Sequence, residues 1–425
     1  MSRRWLQGAA QYKRLAAPAA AVIAHGLRMT VNLIVIKFIA VAMGPAGLGM
    51  LGNLMSATTM VALFSGGGIL NGITKYVAEY NSRPDRLRQF LQGAAAYGFS
   101  ASIIILLISF IAARPLSLAL FGTNDMAWLI PILGIAHLLC FIGNAIIAII
   151  NGKQQPFYFA LITGTGYLSI IPIAFLLIKF GGMSGAAIAL VGVIVSTAIP
   201  AVVVGARNGL ISMLRPRFHS EDSKRLFRFT CIAIVSAAAF PLTEILIRTH
   251  LAGHLGVEST GIWQAMTRLS GAILGFFTVY LATSHMPRLS AISDNKEAAK
   301  AVVHALSVIG PAFACCALLI YLMRSIIVPL LFSSSFGPLE EIIGWQLIGD
   351  LLRVCSYVVS FLVVAKAALK MHIIGELTQC VLYLGFALGA VRMGFGLQEV
   401  AQAYALTYAI YFVLTLLALK RYATR

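Results

Sequence analysis

Acidic side chains are scarce in this chain: 14 Asp and Glu stand against 32 Lys and Arg in 425 residues, and charged residues of both signs make up only 11%. So small a polar complement cannot cover a water-soluble globule of this size. Cysteine is scarce as well. Cys140, Cys231, Cys315, Cys316, Cys355 and Cys380 all fall within apolar stretches and show no metal-ligand spacing, so no disulfide and no metal site is expected. His250 and His254 have the i, i+4 spacing of a metal-binding helix but lack a third ligand nearby. A Walker-type loop, a nucleophile–base set and a catalytic carboxylate pair are all missing, which argues against an ATPase or a glycosyltransferase. No catalytic residue and no cofactor is assigned.

What the chain has instead is hydrophobicity, at 60% of residues and a mean hydropathy of +0.90. Apolar stretches of roughly 20 residues or more, the length that spans a bilayer as a helix, recur from Leu15 to Leu419 and give about twelve spans. The alternating pattern of a membrane barrel is not seen. The expected fold is therefore an all-α integral membrane protein. The basic N-terminus (Arg3, Arg4, Lys13, Arg14) precedes an apolar run too long for a signal peptide, so it reads as a retained first span.

The net charge of +18 is distributed unevenly. One set of loops collects the N-terminal cluster, Lys75, Arg83, Arg86, Arg88, Lys153, the group from Arg207 to Arg228, then Arg288, Lys296, Lys300, Lys366, Lys370, Lys420, Arg421 and Arg425. The other set holds only Arg114, Lys179, Arg248, Arg324 and Arg392. The positive-inside rule makes the first set cytoplasmic, with both termini inside, in a bacterial inner membrane. Basic loops beside anionic lipid account for the charge without nucleic acid. The longest polar connection, Arg207 to Arg228, divides the chain into two bundles of about six spans each, 1–215 and 216–425, as in transporters built from repeats.

Charges that remain inside spans carry most of the functional information, because each costs about 2.5–3.5 kcal/mol at mid-helix unless it faces a polar cavity or a partner. In the first span His25, Arg28 and Asn32 share one helical face, whereas Lys37 lies near the outer end and snorkels. In the eighth, Gln264, Thr267 and Arg268 share a face. Arg28 and Arg268 have no carboxylate at i±3 or i±4, which favours anion binding. In the tenth span Gln346, Asp350, Arg353 and Tyr357 form one stripe. Asp350 and Arg353 are placed either to pair with each other or to couple an ion, and the same two readings apply to Glu244, four residues before Arg248, and to Glu376.

Gly44-Pro-Ala-Gly-Leu-Gly49 and Gly66-Gly-Gly-Ile-Leu-Asn-Gly-Ile-Thr-Lys-Tyr-Val-Ala-Glu-Tyr80 resemble the opening of Wzx-type polysaccharide flippases. The resemblance continues in order through Gly261-Ile-Trp-Gln, Val279-Tyr-Leu, Pro287-Arg-Leu-Ser, Leu331-Phe-Ser, Trp345-Gln-Leu-Ile-Gly-Asp350 and Ala365-Lys-Ala. That family belongs to the multidrug/oligosaccharidyl-lipid/polysaccharide (MOP) exporter superfamily. The resemblance implies two six-helix bundles around a cationic cavity that opens to one side at a time. It also implies an undecaprenyl-pyrophosphate-linked oligosaccharide as substrate, of the enterobacterial-common-antigen or O-antigen kind, with a polymerase and a chain-length regulator as lateral partners. Arg28 and Arg268 would then hold the pyrophosphate, and His25, Asn32, Asn53, Asn71, Lys75, Gln264 and Thr267 would line the path. The alternatives are an ion-coupled multidrug exporter, against which Arg28 and Lys37 argue, and a membrane glycan polymerase or ligase, for which the outer loops are too short.

Overall fold

The computed structural model describes residues 3–366 and 368–424. The basic side chains of Arg3, Arg4, Lys13, Arg14, Arg228 and Arg425 lie outside the described set. The described residues form helices joined by short turns, with no strand among them. Nine of these helices are long and apolar enough to cross a membrane. Three of the nine, Val22–Leu63, Pro156–Arg207 and Ala238–Ala291, run to 42, 52 and 54 residues. At 1.5 Å per residue the shortest of these is about 60 Å long, twice the hydrocarbon thickness, so each has length for two crossings. Each also contains one glycine in a non-helical conformation: Gly44 (φ 64°, ψ −166°), Gly182 (φ 54°, ψ −134°) and Gly256 (φ 86°, ψ 167°). These are positive-φ positions that a side chain tolerates poorly. Counted this way, the described helices accommodate the twelve expected spans.

Apolar side chains face outward over much of the surface, among them Ile111 at 85% and Phe180 at 77% exposed. Lipid is the solvent that makes such a surface stable.

By Cα packing the chain forms two compact units. The first contains the described residues up to Val35 together with Asn53–Pro241; the second contains Ile36–Gly52 and Leu242–Arg425. The first is built on a core that includes Ile73, Phe90, Phe141, Ile146, Ile149 and Leu226. Phe141 explains two glycines: a Cβ on Gly66 would lie 2.1 Å from its ring and one on Gly98 2.2 Å. The second span is interrupted here by a 3-10 turn, Ser65–Gly67, with Gly66, Gly67 and Gly68 all at positive φ.

Polar contacts tie residues 217–230 to the first unit. Arg86, at the start of helix Pro84–Ile111, donates to both oxygens of the buried Asp222, at 2.6 and 3.0 Å. Arg225 donates to the Tyr80 hydroxyl (3.1 Å), the Arg217 N–H to the Gln92 carbonyl (3.1 Å), and Thr230 to the Gly67 carbonyl (2.7 Å). Asp222 is only 1% exposed, so removing its partner strands a desolvated carboxylate, at a cost of about 3 kcal/mol or more. Arg86→Ala is accordingly expected to lower the thermal midpoint of the detergent-solubilised protein. Adding Asp222→Asn should recover part of the loss, because the stranded charge is then gone.

In the second unit the turns at Gly44 and Gly256 pack backbone to backbone. A Cβ on Gly261 would lie 1.7 Å from the Pro45 carbonyl oxygen, and one on Gly49 would lie 2.4 Å from that of Val257. Lys37 donates its ammonium to the Leu330 carbonyl within the same unit.

Candidate functional site

Each unit carries its own set of intramembrane polar residues. In the first unit Arg28 is exposed, with Nη2 3.3 Å from His25 Nδ1, and it forms no ion pair among the described residues. Asn32 turns its amide back to the Arg28 carbonyl of its own helix, at 2.9 Å. Asn53 is buried and donates to the Leu120 carbonyl at 2.6 Å. Asn71 and Lys75 are exposed on helix Leu70–Tyr80, the Lys75 ammonium 5.1 Å from the Tyr76 ring centre.

The second unit contains two clusters. In the first, Glu244, Arg248, Trp263, Gln264 and Arg268 all come from the Ser220–Tyr280 helix, on either side of its turn at Gly256. Arg248 is 1% exposed; its Nε donates to Gln264 Oε1 at 2.9 Å, and its guanidinium lies 5.3 Å from the Trp263 ring centre. Room for it comes from Gly52, where a Cβ would sit 2.5 Å from Arg248 Nε. Glu244 Oε2 lies 3.8 Å from Arg248 Nη2 and 3.9 Å from Arg268 Nη2. Arg268 is held differently from Arg248. Its Nε and Nη2 are buried yet have no hydrogen-bond acceptor among the described residues. Thr267 donates to the Gln264 carbonyl at 2.9 Å.

The second cluster gathers the stripe on helix Leu339–Ala365. Asp350 is fully buried, and its Oδ1 accepts from Ser270 (2.6 Å), Tyr404 (2.8 Å) and Gln346 (3.3 Å). Its Oδ2 is buried with no hydrogen-bond partner among the described residues. Arg353 reaches the same cluster through Tyr404, to whose hydroxyl it donates at 3.1 Å, and it also donates to Tyr357 at 2.9 Å. Tyr404 fits against helix Leu339–Ala365 because position 349 is glycine: a Cβ there would lie 2.3 Å from its ring. Glu376 is half-buried on helix Leu369–Arg392.

Helical periodicity grouped Gln346, Asp350, Arg353 and Tyr357, and the structure joins all four to one network. Periodicity also puts Tyr404 on a polar aromatic face of the last span, but it does not link that face, or Ser270, to the stripe; both donate to Asp350 from other helices. The sequence puts Arg248 among the outer-loop charges, whereas it is among the most deeply buried large side chains. Its i+4 spacing from Glu244 was a usable signal, but the contribution of Gly52, distant in sequence, was not visible. Gln264 was expected to line an open path; here it is buried and committed to Arg248.

A two-unit array of spanning helices with arginines and carboxylates held among them defines a polytopic transporter, and solved structures support that architecture. The chain superposes with a TM-score of 0.76 on an inward-facing multidrug resistance MATE family transporter of the MOP superfamily, at 15% identity, covering 93% of this chain and 96% of that one. For an outward-facing structure of a MATE family transporter the values are 0.71, 14%, 97% and 95%. A MOP superfamily transporter from Pyrococcus furiosus Vc1 (DSM3638) gives 0.66 and 14%, with 96% of each chain covered. At these identities the likeness concerns the fold. A model of the family described as polysaccharide biosynthesis protein matches residues 19–293. The chain is 32% identical over 390 residues to the Lipid III flippases of Escherichia coli (strain K12) and Shigella flexneri, covering 91% of this chain and 94% of each relative. It belongs to the polysaccharide biosynthesis protein family.

Proposed function

We infer that the protein is a flippase that carries an undecaprenyl-pyrophosphate-linked oligosaccharide from the cytoplasmic to the periplasmic leaflet of a bacterial inner membrane by alternating access. The similarity to Lipid III flippases over nine-tenths of the chain supports the substrate class. The observation that carries the chemistry is Arg268, a guanidinium among apolar helices with two buried nitrogens that have no acceptor among the described residues. Such a group gains most from a ligand rich in oxygens, and planar guanidinium matches phosphate through directed, charge-assisted hydrogen bonds. Arg28, exposed and without an ion pair among the described residues, is the second proposed phosphate ligand. A polyprenyl tail remains in lipid throughout, so the protein needs to solvate only the pyrophosphate and sugars. The bias of basic residues to one set of loops supports a topology with both termini in the cytoplasm.

The test is transbilayer movement of a fluorescent undecaprenyl-pyrophosphate oligosaccharide in proteoliposomes. Wild type is expected to move it faster than protein-free vesicles. A well-folded protein that moves none under any ion gradient overturns the flippase reading.

Asp350 is the proposed coupling site for a proton or sodium ion. One of its oxygens is saturated with donors while the other is buried and unsatisfied, an arrangement that favours taking up a proton or a cation. Asn at this position keeps an acceptor for Ser270 and Tyr404 but removes the negative charge. Asp350→Asn is therefore expected to leave a folded protein whose transport rate no longer responds to imposed proton or sodium gradients. A response as large as wild type's would remove Asp350 from the coupling.

A further inference from the structure

Glu244 has the wrong charge for a phosphate site, yet it stands beside the arginine assigned to phosphate. Its Oε2 is almost equidistant from Arg248 and Arg268, at 3.8 and 3.9 Å, both beyond hydrogen-bond range. The two arginines are not equivalent partners. Arg248 is locked by Gln264, Trp263 and the space over Gly52, so it has no freedom to follow a ligand. Arg268 is 23% exposed at its side chain, with Nε and Nη2 buried and without acceptors among the described residues. Glu244, 13% exposed, thus neutralises Arg268 without satisfying its donors.

We propose that Glu244 is an internal competitor for Arg268, a carboxylate that holds the guanidinium loosely when no phosphate is present and limits how tightly a diphosphate binds. The inference rests on the assignment of Arg268 to the diphosphate. Its physical basis is like-charge repulsion. A carboxylate about 4 Å from the guanidinium opposes any anion arriving there, and it takes the cation back as the anion leaves. A carrier needs that balance, because a site strong enough to strip a diphosphate of water also retains it, and passage requires binding weak enough to release. Arg248 acts as the positioning residue: it keeps Glu244 beside Arg268 instead of letting it collapse into a close pair.

The two possible roles of Glu244 predict opposite signs. As an anchor that orients Arg268, its neutralisation weakens phosphate binding; as a competitor, its neutralisation strengthens binding and slows release. The experiment uses the full chain in detergent with farnesyl diphosphate as a water-soluble prenyl diphosphate probe, titrated calorimetrically, and the proteoliposome assay for turnover. Glu244→Gln is expected to bind the probe about tenfold tighter than wild type while lowering the maximal rate of lipid movement. Unchanged or weaker binding by Glu244→Gln, with Arg268→Ala abolishing binding, overturns the competitor and leaves the phosphate assignment standing. Binding indifferent to Arg268→Ala removes the assignment itself and the competitor with it. Should Glu244→Gln fail to fold, Glu244→Asp withdraws the charge by one methylene, and tighter binding is again the supporting sign and weaker or equal binding the opposing one.

Discussion

Arg268→Ala is expected to reduce transbilayer movement of the lipid-linked oligosaccharide by about a hundredfold while leaving a protein that folds and reconstitutes. Charge-assisted hydrogen bonds contribute about 1.5–3 kcal/mol each, and the buried Nε and Nη2 of Arg268 offer two donors without acceptors. Losing both corresponds to about 3 kcal/mol at the low end, or two decades in rate. Stability should suffer little, because the deleted side chain holds no hydrogen bond at these atoms and its ion pair, at 3.9 Å, is loose. Arg268→Lys keeps the charge without the planar fork and should fall between wild type and alanine, at roughly a tenfold loss. Arg248 provides the contrast. Arg248→Ala removes the Arg248 hydrogen bond to the buried Gln264 Oε1 and opens a void above Gly52, so it should lower the folded yield as well as the rate. Activity measured at matched reconstitution separates the two. Equal movement by Arg268→Ala and wild type would take Arg268 out of the phosphate site.

Gly261→Ala is expected to be among the most damaging single-methyl changes at the described residues. The added carbon would lie 1.7 Å from the Pro45 carbonyl oxygen and 2.4 Å from its carbonyl carbon. Both are backbone atoms, so the clash cannot be relieved by a rotamer change. Overpacking where side chains can adjust costs about 1–3 kcal/mol, and this position belongs at or beyond the top of that range. A matched control lies on the same helix: a Cβ at Gly271 meets nothing within 4 Å, so Gly271→Ala should be neutral or stabilising by about 0.5–1 kcal/mol through helix propensity. Thermal midpoints in one detergent test the pair. A Gly261→Ala midpoint within a degree of wild type's would mean that the two turns do not pack as described.

The general architecture was legible because bilayer thickness imposes a length on every spanning helix, and the gaps between expected spans fall where Gly44, Gly182 and Gly256 turn the chain. Membership of the units was harder to read. A polar connector marks where the chain meets water, not which helices it packs against. Polarity therefore suggested a division at 215/216, while packing groups Ile36–Gly52 with the second unit and residues through Pro241 with the first. The same distinction holds for the polar residues. Asp350 and Arg353 stood out because one helix repeats every 3.6 residues. Tyr404, Ser270 and Gly52 become significant only through neighbours on other helices, which periodicity along one segment does not encode. Arg28 and Arg268 stood out because charge inside a span is expensive wherever it lies.

The seat of Gly49 against Val257 bears on how the protein is made. About 200 residues separate the two, so at 5–20 residues per second the first turn leaves the ribosome roughly 10–40 s before its partner exists. During that interval the nascent chain holds an inserted hairpin whose turn has no surface to dock on. A chain truncated after the polar connector would keep that turn undocked indefinitely and present itself to membrane quality-control proteases as unfinished. Two separately produced halves would need to find this glycine seat across the bilayer plane before either could be complete. The protein is thus completed when the segment around Val257, just past its midpoint, closes on its first fifty residues.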